Sequence, residues 1–378
     1  MTPLHRRSLL LVGIIGAATA CGGGEPGSDE MPSAPVRLEE IARLGCGVCG
    51  GAEQLAVASV AVSSSGEIYV TDRFEPFIRV FDAEGDLRTS FGSAGEGPGE
   101  MGSRLPGVPM VPPIGLYLDG GDGLLVHDLM PPRLARFGRR GEYIETTRLD
   151  AELRFLAGRA FDPLEGYLYV ASYQLRMFSE SPGSSIHRFD PADGEAATVL
   201  SGAEFPIEST EAGAPNHRYP FAATAGRFAI GDPQRYLVYT FDPDGAPVGR
   251  FGRDLPLPEK TAEELERERA QLEAASQRSG RPAAEPDPHK PHFLAASFDY
   301  DDRGHLWVQT TRGRAEETIF DVFDDAGELL GEITAPVEVN AAANPLDKMF
   351  DAEGDYLAAA TTDAEGNDTV IVWRVVWR

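Results

Sequence analysis

A turn that recurs along the chain constrains its fold more than any other feature. A phenylalanine, usually followed by Asp, precedes a glycine turn at Phe81-Asp82-Ala83-Glu84-Gly85, Phe137-Gly138-Arg139-Arg140-Gly141, Phe189-Asp190-Pro191-Ala192-Asp193-Gly194, Phe241-Asp242-Pro243-Asp244-Gly245 and Phe323-Asp324-Asp325-Ala326-Gly327. The Phe-to-Phe spacings are 56, 52, 52 and 82 residues. Upstream of each, a glycine runs into a β-rich segment: Gly66 to Val70, Gly123 to Val126, Gly166 to Val170, Gly226 to Ile230 and Gly304 to Val308. A sixth copy begins at Gly354-Asp355-Tyr356-Leu357-Ala358 and continues into Val370 to Val376. Val70 to Phe81, Val126 to Phe137 and Ile230 to Phe241 are each eleven residues apart. Self-similarity at such a period marks repeated supersecondary units stacked on one another. Each unit reads as four short strands joined by tight turns, so the expectation is all-β, a six-bladed β-propeller of four-stranded blades.

Turn chemistry agrees. Gly and Pro number 42 and 29 among 378 residues, and Asp-Gly or Glu-Gly pairs adopt the positive-φ conformations that hairpins need. The last copy supplies only about three strands before Arg378. The missing outer strand is expected from Val36 to Leu44, with Val36, Leu38 and Leu44 pairing against Val370 to Trp377. Joining the N-terminal strand to the C-terminal blade would close the ring and remove its open edges. The propeller then occupies residues 36–378.

These units resemble NHL repeats. The best match runs through Gly66-Glu67-Ile68-Tyr69-Val70-Thr71-Asp72, Ile78 to Asp82, Phe91-Gly92 and Gly95-Glu96-Gly97-Pro98-Gly99. The resemblance covers about 340 residues, strongest in the first blade and weakest in the third. It implies a six-bladed propeller lipoprotein of bacterial envelopes.

The start of the chain reads as an address. Arg6 and Arg7 precede an apolar run from Leu9 to Ala20, the size of a signal-peptide core and too short to span a bilayer. Ala18, Thr19 and Ala20 before Cys21 resemble a bacterial lipoprotein signal, with cleavage before Cys21 and lipidation of that cysteine. Ala18 stands where leucine is usual. Arg6-Arg7 also fits a twin-arginine export signal or a plain basic leader. Residues 1–20 are thus the signal, and 21–35, rich in Gly, Pro, Ser and Glu, a flexible tether. The expected place is the bacterial envelope, on the outer membrane or the periplasmic side of a diderm cell. Membrane contact would come through the lipid anchor alone. A formal charge of −26, becoming −28 once Arg6 and Arg7 are removed, excludes a nucleic-acid partner, and only Lys260, Lys290 and Lys348 supply lysine.

Within such a ring, turns between second and third strands emerge on the same face as the crossings between blades. The long segments, Gly92 to Pro113, Tyr173 to Ser185, Ser201 to Tyr219 and Gly252 to His292, all belong to that face, whereas the opposite turns are short. Loops concentrated at one end of a rigid scaffold are where binding resides. The 82-residue interval contains a helical insertion at about 259–280. Thr261-Ala262-Glu263-Glu264 forms a capping box, Leu265 and Leu272 follow at near-helical spacing, and Ser279-Gly280-Arg281-Pro282 ends it.

Catalytic constellations are sparse. His289 and His292 alone approach zinc-ligand spacing, and Asp299-Tyr300-Asp301-Asp302 resembles a calcium loop that lacks its closing Glu. Asp72, Asp128 and Asp232 each follow their blade's second-strand marker by two residues, which places them on the long-loop face around the channel. They read either as caps of their own turns or, with His127, as a ligand site for a divalent cation such as Ca or Zn. Some NHL-type propellers are metal-dependent lyases or lactonases, and the resemblance therefore carries a metal-dependent hydrolase or lyase as the alternative. Cys46 and Cys49 form a candidate disulfide in an exported chain. The leading expectation is a monomeric binding or scaffolding module for a peptide, glycan or partner protein.

Overall fold

The computed structural model describes residues 36–377, apart from 46–53, 104–109, 121–122, 130, 150–155, 162–165, 175–182, 191–194, 202–206, 208–218, 225, 281, 315 and 341–346. The signal, the tether, Cys21, Cys46 and Cys49 lie outside the described residues.

Among the described residues, twenty-four strands and one helix follow in order. Strand β1 (Val36–Leu44) stands apart in sequence from the sheet it joins. The first blade is β2 (Val57–Val62), β3 (Ile68–Asp72), β4 (Ile78–Phe81) and β5 (Leu87–Phe91). The second is β6 (Gly115–Leu118), β7 (Gly123–Leu129), β8 (Pro132–Gly138) and β9 (Tyr143–Arg148), and the third β10 (Leu156–Phe161), β11 (Leu168–Gln174), β12 (Gly183–Phe189) and β13 (Ala196–Ser201). The fourth comprises β14 (Phe221–Thr224), β15 (Arg227–Asp232), β16 (Leu237–Phe241) and β17 (Pro247–Gly252). After helix α1 (Ala262–Ser279) come β18 (Phe298–Tyr300), β19 (Leu306–Thr310), β20 (Thr318–Phe323) and β21 (Leu329–Ala335). The last blade is β22 (Phe350–Glu353), β23 (Tyr356–Thr362) and β24 (Asp368–Trp377), completed by β1. Each sheet is a four-stranded antiparallel meander, and the six form a propeller ring. The third blade, weakest in its repeat signature, is as complete as the others.

Ring closure follows the expected register. Val36 pairs with Trp377, Leu38 with Val375 and Leu44 with Val370, with one bulge between Glu40 and Ala42. The inner strands of the last and first blades run parallel where Ser59 bridges Lys348, as strands around a common channel must.

Burial explains why inner and outer strands read so differently. β2 (VASVAV) and β3 (IYVTD) are buried at every position, because blades press on both faces and no polar alternation survives. Outer strand β9 (YIETTR) is almost wholly exposed. The core is divided among the interfaces between blades. One cluster joins the first and second blades through Tyr69, Phe77, Leu124 and Phe137, and another joins the fourth and fifth through Tyr236, Phe293, Leu306 and Phe323. Among the described residues no blade owns a core by itself.

The repeated turn has a local cause. The motif phenylalanine sits opposite the first apolar residue of the second strand, as in Ile68–Phe81, Leu124–Phe137 and Phe228–Phe241. A bulge follows at the same place in several blades, between Val80 and Phe81 and between Thr240 and Phe241. The Asp then caps its own turn: Asp242 Oδ1 accepts from Asp244 N at 3.0 Å and Ala246 N at 2.8 Å. Gly245 has φ 87°, and a Cβ there would lie 1.9 Å from the Val199 carbonyl oxygen of the neighbouring blade. Only glycine meets both demands.

Candidate functional site

Alternating strand direction puts the β2–β3 and β4–β5 kinds of turn at one end of each blade, and the β3–β4 turns and blade crossings at the other. The first end is closed by short turns, including 63–67, 82–86, 242–246, 301–305 and 324–328. The second receives the crossings 92–114, 253–297 and 336–349. Among the described residues the asymmetry expected from sequence is therefore a property of the fold; most of 173–185 and 201–219 lies outside them.

Helix α1 belongs to the 253–297 crossing. Its capping box is formed, with Glu264 N donating to Thr261 Oγ1 at 3.2 Å and Thr261 N donating to Glu264 Oε2 at 2.7 Å. Gly280 ends it in the left-handed conformation with its N–H on the Ser276 carbonyl. Within the expected insertion of about 259–280 the helix begins just after its cap, at Ala262, and Glu259 bridges His289 ahead of it. No described residue of α1 is buried, and a half-buried stripe runs through Glu264, Leu265, Glu268, Leu272 and Ser276. Two of the three lysines brace it, Lys260 on Glu268 at 2.5 Å and Lys290 on Glu264 at 2.7 Å.

The candidate aspartates sit at the long-loop ends of their second strands; Asp72 and Asp232 cap their own turns, whereas Asp128 reaches the 92–114 crossing. Asp72 is buried, accepts from Phe74 N at 2.9 Å and faces Arg79 Nε at 3.1 Å. Asp232 accepts from Gln234 N at 3.0 Å, with Arg235 Nε at 3.8 Å. Asp128, fully buried, accepts from Gly102 N at 2.8 Å and from Arg133 Nε at 2.8 Å. Arg133 in turn donates to the carbonyls of Gly95 at 2.7 Å and Glu100 at 3.1 Å. The pair thus fastens the 92–114 crossing to the second blade. Burial pushes the Asp72 and Asp128 carboxyls above their usual range, and the backbone N–H groups pull them back. His127 is buried beside Asp128, its backbone paired with Leu134 and Gly115. Among the described residues, no three His, Cys, Asp or Glu side chains group so as to hold a metal ion. His289 and His292 diverge. His289 is exposed beside Asp287, whereas His292 is buried with its ring 5.2 Å from that of Tyr236.

Two charged clusters escaped the sequence reading. At the root of the 253–297 crossing, Arg253 and Arg312 share the carboxylates of Asp321 and Glu332. Arg253 Nη1 lies 3.0 Å from Asp321 Oδ2 and 2.9 Å from Glu332 Oε2, and Arg312 Nη2 lies 2.5 Å from Asp321 Oδ1. Tyr236 OH donates to Asp321, and burial with that neighbouring carboxylate pushes its pKa upward. His292 N donates to the Pro233 carbonyl at 2.7 Å, so the far end of the crossing is fastened at the same place.

The second cluster lies on the inner strands. Lys348 Nζ is 2.8 Å from Asp299 Oδ1 and also contacts Asp351. Asp299 Oδ2 accepts from Ala352 N at 2.9 Å, and Asp351 Oδ2 from Val62 N at 2.5 Å. Each aspartate thereby satisfies an inner-strand N–H of the next blade, and Lys348 compensates both charges. The recurring signal was available: Phe298-Asp299 and Phe350-Asp351 occupy equivalent inner-strand positions, opposite Val308 and Ala359. At the end of β22, burial pushes Glu353 from its ordinary 4.5 up to about 8, with Asp351, Asp302 and Asp299 adding like charge. An acid raised in the folded state costs nothing while both states are protonated. The penalty grows as pH rises from about 4.5 to about 8 and is full above that. Glu353→Gln is therefore expected to stabilise the protein by roughly 1–3 kcal/mol at pH 9 and to be neutral at pH 4. Thermal unfolding at the two pH values checks this, and an equal effect at both would contradict it.

No family model and no curated protein matches the chain. Among solved structures it is similar to a member of the duf4221 family from Bacteroides vulgatus, at 13% identity and a TM-score of 0.52, covering 91% of this chain and 99% of that one. It is also similar to a Bacteroides fragilis protein named as a candidate for export, at 12% identity and a TM-score of 0.53, covering 93% and 98%. A streptogramin B lyase follows at 11% identity and a TM-score of 0.43, covering 90% and 99%. With the first two, both above a TM-score of 0.5, the likeness is one of overall fold. At these identities it is a likeness of fold and carries no chemistry across. No described helix is long and apolar enough to cross a membrane.

Proposed function

We propose that this propeller is an envelope-tethered binding module of the NHL type, held by lipidated Cys21. It captures a peptide, glycan or partner protein on its long-loop face as a monomer. The observation that carries the reading is the confinement of the long crossings and α1 to one end of the ring. Buried ion pairs fasten their roots, Asp128–Arg133 for one and Arg253–Asp321 for another, and pre-organised loops lose less entropy on binding. Among large apolar side chains that stay exposed, Leu87, Tyr143, Ile144, Val248 and Leu329 belong to outer strands. Phe74, 64% exposed, and Leu294, 42% exposed, stand instead on the long-loop face. Phe74 projects from a turn pinned by Asp72, which suits an aromatic anchor for a partner.

The test is selection of binders from a displayed peptide library and a glycan array against the purified propeller. Phe74→Ala is expected to weaken the selected ligand about tenfold, since an anchor is worth ~1–2 kcal/mol or more. Excising residues 261–287, with Lys260 joined to Pro288 through a short glycine turn, should leave the melting temperature within a few degrees. Ligands that survive both changes, and are lost only on altering the 82–86 or 242–246 turns, would place binding on the opposite face.

A further inference from the structure

The position at which the chain enters the ring has a directional consequence. β1 is antiparallel to β24, and its first residue, Val36, lies opposite Trp377, while Leu44 lies opposite Val370. The Asp368 end of β24 pairs with Thr362 across the 363–367 turn, on the long-loop side. Val36 therefore sits at the other end of the blade, level with the turns 82–86, 242–246 and 324–328 of the other blades. The chain therefore enters β1 at the short-turn face, at the outer edge of the closing blade.

We infer that the short-turn face is the membrane side of the anchored protein and that the long-loop face points away from the bilayer. This rests on the reading of Cys21 as the anchor and adds an orientation to it. If residues 21–35 behave as the tether expected from their sequence, a chain of that length spans roughly 20 Å. Strands rising about 3.3 Å per residue make a blade ~20 Å tall. The two faces thus differ in height by about the length of the tether, enough to leave the loops and α1 free for a partner in the aqueous phase. Charge keeps the near face from adsorbing. Glu84, Asp86 and Glu328 are exposed on it, as are Asp244 and Asp325, which face Arg188 and Arg227, and Arg140. An anionic lipid surface repels the uncompensated carboxylates over a screening length of about 8 Å at physiological salt. The lipid partner of this face is a nearby surface held at a stand-off and not a docked one.

Energy transfer to a headgroup acceptor in phosphatidylethanolamine–phosphatidylglycerol vesicles tests the orientation. A fluorescent unnatural residue replaces Glu84 on the short-turn face or Gln271 on α1. One arm uses acylated protein purified from membranes. The second uses unacylated chain beginning at Cys21, coupled through that thiol to a maleimide lipid, with Cys46→Ser and Cys49→Ser. Transfer is expected to be roughly twofold or more greater at position 84 than at 271 in both arms, given the ~20 Å difference in height. It should rise at position 84 when salt is raised or the lipid made zwitterionic. Equal or greater transfer at 271 in the coupled arm would overturn the inference. If the purified protein fails to sediment with vesicles while the coupled arm keeps the order, the anchor reading falls and the orientation set by Val36 stands.

Discussion

Removing residues 1–45 is expected to abolish the folded ring and not merely trim it. β1 is the outer strand of the closing blade, and Val36, Ala42 and Leu44 are buried against β24 and its neighbours. Its loss also uncovers the sides of Trp373 and Val375 and leaves an unpaired edge along β24. Burial of a large apolar side chain is worth about 1.5–3 kcal/mol, so the deletion removes roughly 5–8 kcal/mol of the ~5–15 kcal/mol that holds a typical domain. The exposed edge adds a template for aggregation. Near-ultraviolet circular dichroism and thermal unfolding should show no cooperative transition, and a synthetic peptide of residues 36–45 should restore part of it. A truncated chain that melts at the parent temperature would show that β1 does not close the ring.

Asp128→Ala is expected to cost about 3–5 kcal/mol, the scale for breaking one partner of a buried ion pair. Arg133 would be left 5% exposed, its side chain holding the carbonyls of Gly95 and Glu100 without its counter-charge. The 92–103 stretch should become the first site of limited proteolysis, because Gly102 N loses its acceptor. Replacing both partners by apolar residues, Asp128→Leu with Arg133→Met, should recover much of the stability. A cation-holding Asp128 would behave differently. Asp128→Asn would then lower the bound metal of the native protein in addition to breaking the Arg133 pair.

The ring was legible because its determinants are local. The Phe-Asp turn, the glycine demanded by the close approach of Val199 to Gly245, and the continuous apolar runs of β2 and β3 can each be read within a dozen residues. The closing strand was legible for a related reason, since a final repeat one strand short needs the apolar pattern of Val36 to Leu44. The organisation of the long-loop face was not legible. Asp128 could be seen to occupy a repeat position, but its partner Gly102 lies in a crossing whose path the repeat does not encode. Arg253 and Asp321 meet only because the fourth and fifth blades are neighbours, 68 residues apart in the chain. Lys348, Asp299 and Asp351 meet across an inter-blade seam, where the identity of a partner depends on the order of the ring and not on spacing. Local repetition specifies the blades, and packing between blades specifies the charges.

The central claim, that the long-loop face is the working surface, is tested most directly by amide hydrogen exchange of the propeller with a ligand chosen by the selection described above. The account predicts slowed exchange in residues 73–77, 92–103, 262–279 and 292–297, with the 82–86, 242–246 and 324–328 turns unchanged. Protection confined to those short turns, with α1 and the Phe74 turn exchanging as in the free protein, would contradict it.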